Sequence, residues 1–449
     1  MSQLFNGQFM IKGLAIAVTT LMVGTAHAAK TEQQQIQELR QEVEALKSLI
    51  QQQQQVQQQQ QTQIAQVQQA KPAAPASALS SLKSKSGADV SIYGSIRGDA
   101  NYIIKGADSD FNSTHTSKDN VSDKLVATSK VTRLGLDFNT PVGDSKLGGK
   151  VEVDFAGTSD NLRIRHAYLT LNNWLFGQTT SNFLSNHAPE MIDFATNIGG
   201  GTARVPQVRY NYKLAPATQL FVSAEEGNSA ATELKVTEEK IKNDLGVVTG
   251  TKVKRENVSS NVTYRAPVIT AKLVQGFAEG KGSASARALV EHYKATSGDD
   301  KTGWGAAVGA NYQVAEPLKV SADVSYVQGN SNYLYGSNSA FFVDADGDIQ
   351  QNEAIGVQVG ATYKFSPQLR STLAYGALFA DDGTDYARAA AAVTNAGANE
   401  KVQQAWINFI YSPVKPVDLG IEYINGERKT FAGEKFSDDR VGFMARYSF

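Results

Sequence analysis

The sequence predicts an all-β fold, a 16-stranded antiparallel transmembrane β-barrel, carried behind an N-terminal α-helical coiled coil. Three observations carry that prediction. From Asp89 to Phe449, polar and apolar residues alternate in segments such as "VSIYGSIRGDANY", "KVEVDF" and "LKVSADVSY", the period-2 signature of strands whose two faces meet different environments. A phrase of strand, aromatic residue and proline turn recurs as "GLDFNTP", "VRYNYKLAP", "SNVTYRAP", "GANYQVAEP", "GATYKFSP" and "INFIYSP". Short turns also alternate with long polar connections, the rhythm of outer-membrane-type barrels.

In chain order, residues 1–28 read as a signal peptide. Lys12 precedes the apolar "GLAIAVTTLMVG", which is too short to span a membrane, and Ala26-His27-Ala28 supplies the small residues of a cleavage site. Residues 29–69 read as a coiled coil. Ile36, Leu39, Val43, Leu46 and Ile50 follow heptad a and d spacing, and the register returns at Ile64 and Val67 after a glutamine tract. Glu42 at g faces Lys47 at the next e position, while Gln53, Gln57 and Gln60 weaken the middle of the seam. Ile or Val at a with Leu at d favours two strands. Residues 70–88, "AKPAAPASALSSLKSKSGA", have no periodicity and read as a Pro/Ala/Ser linker.

Residues 89–449 form the predicted barrel. Short turns fall at 140–144, 172–173, 215–217, 266–267, 315–317, 366–367 and 412–416, and long loops near 105–122, 157–160, 180–202, 228–254, 281–301, 330–352, 381–399 and 430–436. Seven turns alternating with eight loops give sixteen strands with both ends on the short-turn side. This parity places "ASARALVEHYKAT" (284–296) inside a loop, as a helix. Phe138, Tyr212, Tyr264, Tyr312, Tyr363 and Tyr411 end descending strands and predict an interfacial girdle facing lipid.

The opposite column then lines the lumen. Arg97, Arg133, Arg163, Arg165, Arg209 and Arg440 fall on it near mid-barrel, on strands 16, 1, 2, 4 and 6, largely one wall. Arg446 and Arg265 are expected nearer the turn side, at the mouth, and Lys150, Lys213 and Lys364 add charge. The third loop, "TSNFLSNHAPEMIDFATNIGGG", brings Glu190 and Asp193. Folded against the arginine wall it would narrow the pore and set up a transverse field, and rings of arginine favour anions. A wet lumen also tolerates ordinary charge, and Glu152 and Asp154 point inward as well.

Other chemistries find little support. Asp344, Asp346, Asp348 and Glu353 match part of a calcium loop, but Phe342 stands at the first ligand position, so the stretch reads as a solvated acidic loop with a weak resemblance to a metal site. No cysteine is present, the five histidines show no paired metal or catalytic spacing, and no nucleophile elbow or phosphate loop appears. An enzyme and a resident cofactor are therefore not expected. The 43 basic and 44 acidic residues balance, which gives no argument for nucleic acid.

Taken together, signal peptide, short coiled coil, Pro/Ala linker, barrel and terminal Phe449 resemble the trimeric outer-membrane porins of the DcaP-like (dicarboxylic-acid porin) family. "RIRHAYLTLNNWLFGQT" (163–179) is the stretch most similar to it, and the resemblance covers residues 29–449. It implies a homotrimer in outer-membrane lipid of a Gram-negative cell, with the coiled coil in the periplasm and each protomer a pore for small anionic solutes, dicarboxylates among them. It also implies that the third loop is the constriction, with Glu190 and Asp193 opposite the six mid-barrel arginines. Phe449 resembles the signal read by barrel-assembly machinery. Two alternatives stay open: a phosphate-type anion porin, which shares the layout but has a lysine-rich pore, and a structural tether in which the coiled coil contacts the cell wall.

Overall fold

The computed structural model describes residues 82–85, 87–201, 203–393 and 397–449. The predicted signal peptide, the coiled coil and residues 70–81 of the linker lie outside the described residues. Of the remaining linker, Leu82–Lys83 pairs antiparallel with Asp89 and Val90.

Sixteen strands form the barrel among the described residues. They are β1 (Asp89–Gly106), β2 in two pieces (Val121–Thr128 and Arg133–Val142), β3 (Ser145–Asp154), β4 (Arg163–Leu171), β5 (Trp174–Thr180), β6 (Arg204–Ala215), β7 (Thr218–Glu225) and β8 (Val268–Phe277). Then come β9 (Gly282–Ala295), β10 (Asp300–Ala315), β11 (Leu318–Gln328), β12 (Glu353–Lys364), β13 (Leu369–Ala380), β14 (Asn399–Val414), β15 (Val417–Thr430) and β16 (Lys435–Ser448). Each pairs antiparallel with the next. β16 pairs with β1, with Tyr447 opposite Ile96 and Arg440 opposite Ile103, so the barrel sheet closes on itself. Closure includes the last residue: the amide of Phe449 donates to the carbonyl of Gly94 and the amide of Gly94 to that of Phe449, both at 3.0 Å.

The alternation holds strand by strand. In β14, Val402, Gln404, Trp406, Asn408 and Ile410 are buried toward the interior, while Ala405, Ile407, Phe409 and Tyr411 are exposed. Exposed Tyr212, Tyr312, Tyr363, Tyr411 and Tyr447 mark the turn side, with Phe138 half-buried beside them. Exposed Tyr102, Trp304, Phe379 and Tyr423 mark the loop side. These are the two aromatic levels of a membrane barrel.

The count of sixteen is right, but two of the expected strands are misplaced. Residues 284–296 lie mostly in β9, not in a helix inside a loop. Ser285, Arg287, Leu289, Glu291 and Tyr293 face inward. The outward column is largely small (Ala284, Ala286, Ala288), and its alanines carry the helix propensity behind the misreading. The turn before it, 278–281, has no proline; Ala278, Glu279 and Gly280 all take positive φ (50, 55 and 88°). Conversely, Ala266–Pro267 is not a short turn. It ends a long fourth loop that contains its own hairpin, Ala231–Lys242 against Val248–Ser260, which pairs in parallel with Phe341–Val343 of the sixth loop. Removing one strand and adding another leaves the parity intact. Tyr264 therefore lies on the loop side, outside the turn-side girdle, where its hydroxyl donates to buried Glu291 at 2.8 Å.

Candidate functional site

The third loop, residues 181–203, folds into the barrel, and its path is set by wall side chains that reach its backbone. Near its start, the amide of Asn182 donates to the Glu225 carboxylate of β7 (3.1 Å), Lys272 of β8 donates to the carbonyl of Leu184 (3.1 Å), and Arg287 of β9 donates to that of Phe183 (2.9 Å). Arg287 also forms a fully buried ion pair with Asp323 of β11 at 2.5 Å, and the Ser185 hydroxyl donates to the same carboxylate. Further on, Trp406 and Asn408 of β14 donate to the carbonyl of Glu190 (3.0 and 3.1 Å). Glu422 of β15 accepts the amides of Ile192 and Asp193 (2.8 and 3.0 Å). Gln358 of β12 donates to Asn197 and to the carbonyl of Ile198. Gly199 presses between the carbonyls of Val357 and Ala377, where a Cβ would come within 2.5 Å of both. The loop thus lies along β7–β15 and reaches β1 through Arg97, which donates to the carbonyl of Ile192 at 2.7 Å.

None of these backbone anchors comes from β2–β6, and most of the expected basic residues lie on those strands. Arg163 and Arg165 share Asp154 (2.7 and 2.8 Å), and Arg165 also holds Glu152 (2.7 Å). A β-bulge makes this arrangement: Glu152 pairs with His166 and Val153 with Ile164, leaving Arg165 unpaired in the ladder. The phase shift lets Arg165 turn inward beside His166, whose ring contacts the buried Thr179 hydroxyl at 2.9 Å. Lys150 lies 4.5 Å from the centroid of the Tyr93 ring and 3.3 Å from Asp137. Arg97 pairs with Asp99 at 2.6 Å. The side chains of Arg133 and Arg209 form no ion pair or hydrogen bond among the described residues. Arg133 sits in the combined field of Arg165, Arg97, Glu152 and Asp154, and Arg209 lies over the Phe221 ring at 5.7 Å.

Several expectations about individual residues change. Glu190 does not face this wall; it forms a bidentate pair with Arg370 of β13. Asp193 does not face it either. It is buried, accepts the amides of Asn112 (2.6 Å) and Ala195 (2.9 Å), and burial pushes its carboxyl up to about 6. Arg440 is inward but fully enclosed, held by Asp438 at 2.7 Å and by the carbonyls of Ala107 and Ser109 in the first loop, so it braces that loop and does not line open lumen. Arg446 pairs with Asp418 at the turn side. Arg265 is exposed on the loop side, because the fourth loop extends through Pro267.

The acidic stretch is a capped turn. Asp344 accepts the amides of Asp346 and Asp348 and the side-chain amide of Gln350, which holds its carboxyl below the ordinary range against the opposing effect of desolvation. Glu353 is instead bound to Tyr326 and Gln328. Among the described residues no group of three or more His, Cys, Asp or Glu is placed to hold a metal.

Sequence reading did not single out Arg204, Lys272, Arg287, Arg370 and Arg428. Arg287 was lost with β9. Arg204 opens β6 and shares the field of Arg165, Arg133 and Arg163. Arg428 of β15 donates to the carbonyls of His115 and Ser117, and burial followed by that guanidinium pushes His115 down to about 4. Lys272 and Arg370 lie in strands that the turns and loops already bracket, so their inward columns would have found them, whereas Arg287 needs β9 recognised as a strand.

Comparison with known proteins fits this geometry. A family model described as DcaP outer membrane protein matches residues 21–449. The crystal structure of the outer membrane channel DcaP of Acinetobacter baumannii is 62% identical, with a TM-score of 0.74 over 83% of this chain and 100% of that one. A loop-deletion mutant of OmpT from Vibrio cholerae (15% identity, TM-score 0.51, 81% and 99% covered) and an anion-selective porin from Comamonas acidovorans (14%, 0.50, 81% and 100%) share the barrel fold alone. No curated protein matches. A family model spanning nearly the whole chain shows that it belongs to the DcaP outer membrane protein family.

Proposed function

We propose that the barrel is a passive outer-membrane channel for small anionic solutes, dicarboxylates among them. The observation that carries this reading is the unequal neutralisation of charge across the lumen. The two acids of the third loop are occupied, Glu190 by Arg370 and Asp193 by burial under backbone amides. On the facing wall Arg163 and Arg165 are matched by Asp154 and Glu152, but Arg133 and Arg209 carry no acid partner among the described residues. A solute passing between loop and wall meets excess positive charge held in a narrow, low-dielectric passage, which raises the local concentration of anions. Diffusion down a gradient needs no further chemistry from the protein.

The related channel from Acinetobacter baumannii supports the channel reading. The family resemblance extends it to a homotrimer in the outer membrane, with the coiled coil in the periplasm, where cell-wall contact is open to it, and with Phe449 presented to the barrel-assembly machinery. The pore-lining set is Arg97, Arg133, Arg163, Arg165, Arg209 and Lys150, with the third loop as the constriction.

Planar-bilayer reversal potentials in a KCl gradient test the reading. Wild-type channels should prefer chloride, and Arg133→Ala with Arg209→Ala should move the reversal potential toward zero. A cation-preferring wild type, or a double variant with unchanged selectivity, sinks it.

A further inference from the structure

Beneath the third loop, on the side away from the arginine wall, lies a recess of about 410 Å³. Its roof is the Ala188–Glu190 stretch, and its floor and sides are the turn-side ends of β10–β13. Three of the cations there come from neighbouring inward positions. Lys364, the last residue of β12, is the direct cross-strand partner of Arg370, the second residue of β13. Lys319, the second residue of β11, pairs with Thr362 and so lies diagonal to Lys364.

Like charges opposite or diagonal to one another on one face of a sheet repel. Here only one of the three is relieved: Arg370 holds Glu190, and the side chains of Lys319 and Lys364 form no ion pair or hydrogen bond among the described residues. The neutral polar lining includes Asn311, whose side-chain amide meets the His187 ring at 2.9 Å, and Thr362, whose hydroxyl meets that of Thr372 at 2.8 Å. The recess is also built to stay open. Its roof is pinned by Trp406 and Asn408 through the Glu190 carbonyl. Pro189 rests on Gly360, where a Cβ would come 2.6 Å from the proline ring.

We propose that this recess is a second anion subsite on the periplasmic side of the constriction, selective for small solutes that carry two or more negative charges. Lys319 and Lys364 supply the two charges, with Asn311 and Thr362 beside them in the polar lining. A monovalent anion satisfies one lysine and leaves the other repelled, whereas a dianion relieves both. The subsite rests on the reading of the lumen as an anion path: a solute leaving the arginine wall meets this recess across the vestibule.

The test is sided block of single-channel current by succinate, with acetate as the monovalent control. Channel orientation is scored by streptavidin capture of a biotin tag on the external hairpin. Wild type is compared with Lys319→Gln/Lys364→Gln and with Lys319→Arg/Lys364→Arg. Loss of two partly exposed charges should weaken periplasmic-side succinate block by about two- to tenfold. Extracellular-side block should fall less, and the arginine pair should restore the periplasmic value. Equal weakening from both sides, no weakening, or equal effects on acetate and succinate overturns the subsite. In that case, a wild type that still prefers chloride leaves the anion-path reading standing, while a cation-preferring wild type removes both.

Discussion

Glu190 and Arg370 form a two-pronged ion pair, with Arg370 Nε 2.9 Å from Oε2 and Nη2 2.8 Å from Oε1, tying the third loop to β13. The pair takes up the acid that the sequence alone would set opposite the arginines of β2–β6. It also spends the guanidinium that would otherwise be the strongest cation of the vestibule.

Glu190→Gln should therefore make the channel more anion-preferring, since it releases Arg370 and removes a negative charge. Both partners are partly solvated, so the stability cost is expected to be about 1 kcal/mol or less. Reversal potentials in a KCl gradient report the change; a shift toward potassium would show that Glu190 faces the permeating ion after all.

Glu422 holds the far part of the loop. Its buried carboxylate accepts the amides of Ile192 and Asp193 and the side-chain amide of Asn408. Glu422→Ala leaves those donors without their partner, at about 1–3 kcal/mol for each that water does not reach. The expected result is a loosened loop in an intact barrel: faster hydrogen exchange at Ile192 and Asp193 and noisier open-channel current. Unchanged exchange at both amides would show that other contacts hold the segment.

Asp193 gives the loop a pH dependence. Its folded value of about 6 lies above the ordinary aspartate value of about 3.9, because burial disfavours the charged form. A raised value means that the carboxyl's contribution is fully present below about pH 4 and is lost as pH rises through 6. Loop protection should thus decline between pH 4 and 7 in wild type, and Asp193→Asn should remove that slope. A variant with the wild-type slope would assign it to another group.

Gly94 sits where the barrel closes. A Cβ there would lie 2.4 Å from the Arg133 carbonyl and 2.8 Å from the Phe449 ring. Gly94→Ala must displace backbone or the terminal aromatic ring, and should lower the yield of heat-modifiable folded barrel on electrophoresis. Wild-type yield would mean that the seam relaxes without cost.

Much of the architecture was readable because a membrane barrel leaves the chain few choices. Every spanning backbone group must pair within the sheet, and the two faces differ so sharply that alternation survives in nearly every strand. That is why Tyr363 and Tyr411 were placed correctly, along with the inward positions of Arg97, Arg133 and Arg165. The misplacement of β8 and β9 has a local cause: an alanine-rich outward column and a turn without proline carry none of the expected punctuation.

The sequence by itself determined the strand count, the closure through Phe449, most of the lipid-facing aromatics and the inward column of most strands, β9 excepted. Only the tertiary structure decided which inward charges neutralise each other. Alternation assigns a residue to a face, but ion pairing depends on cross-strand register, on a single bulge at Arg165, and on the path of one loop across the lumen. Those three together placed Glu190 on Arg370, enclosed Arg440 beneath the first loop, and left Arg133 and Arg209 without an acid partner among the described residues.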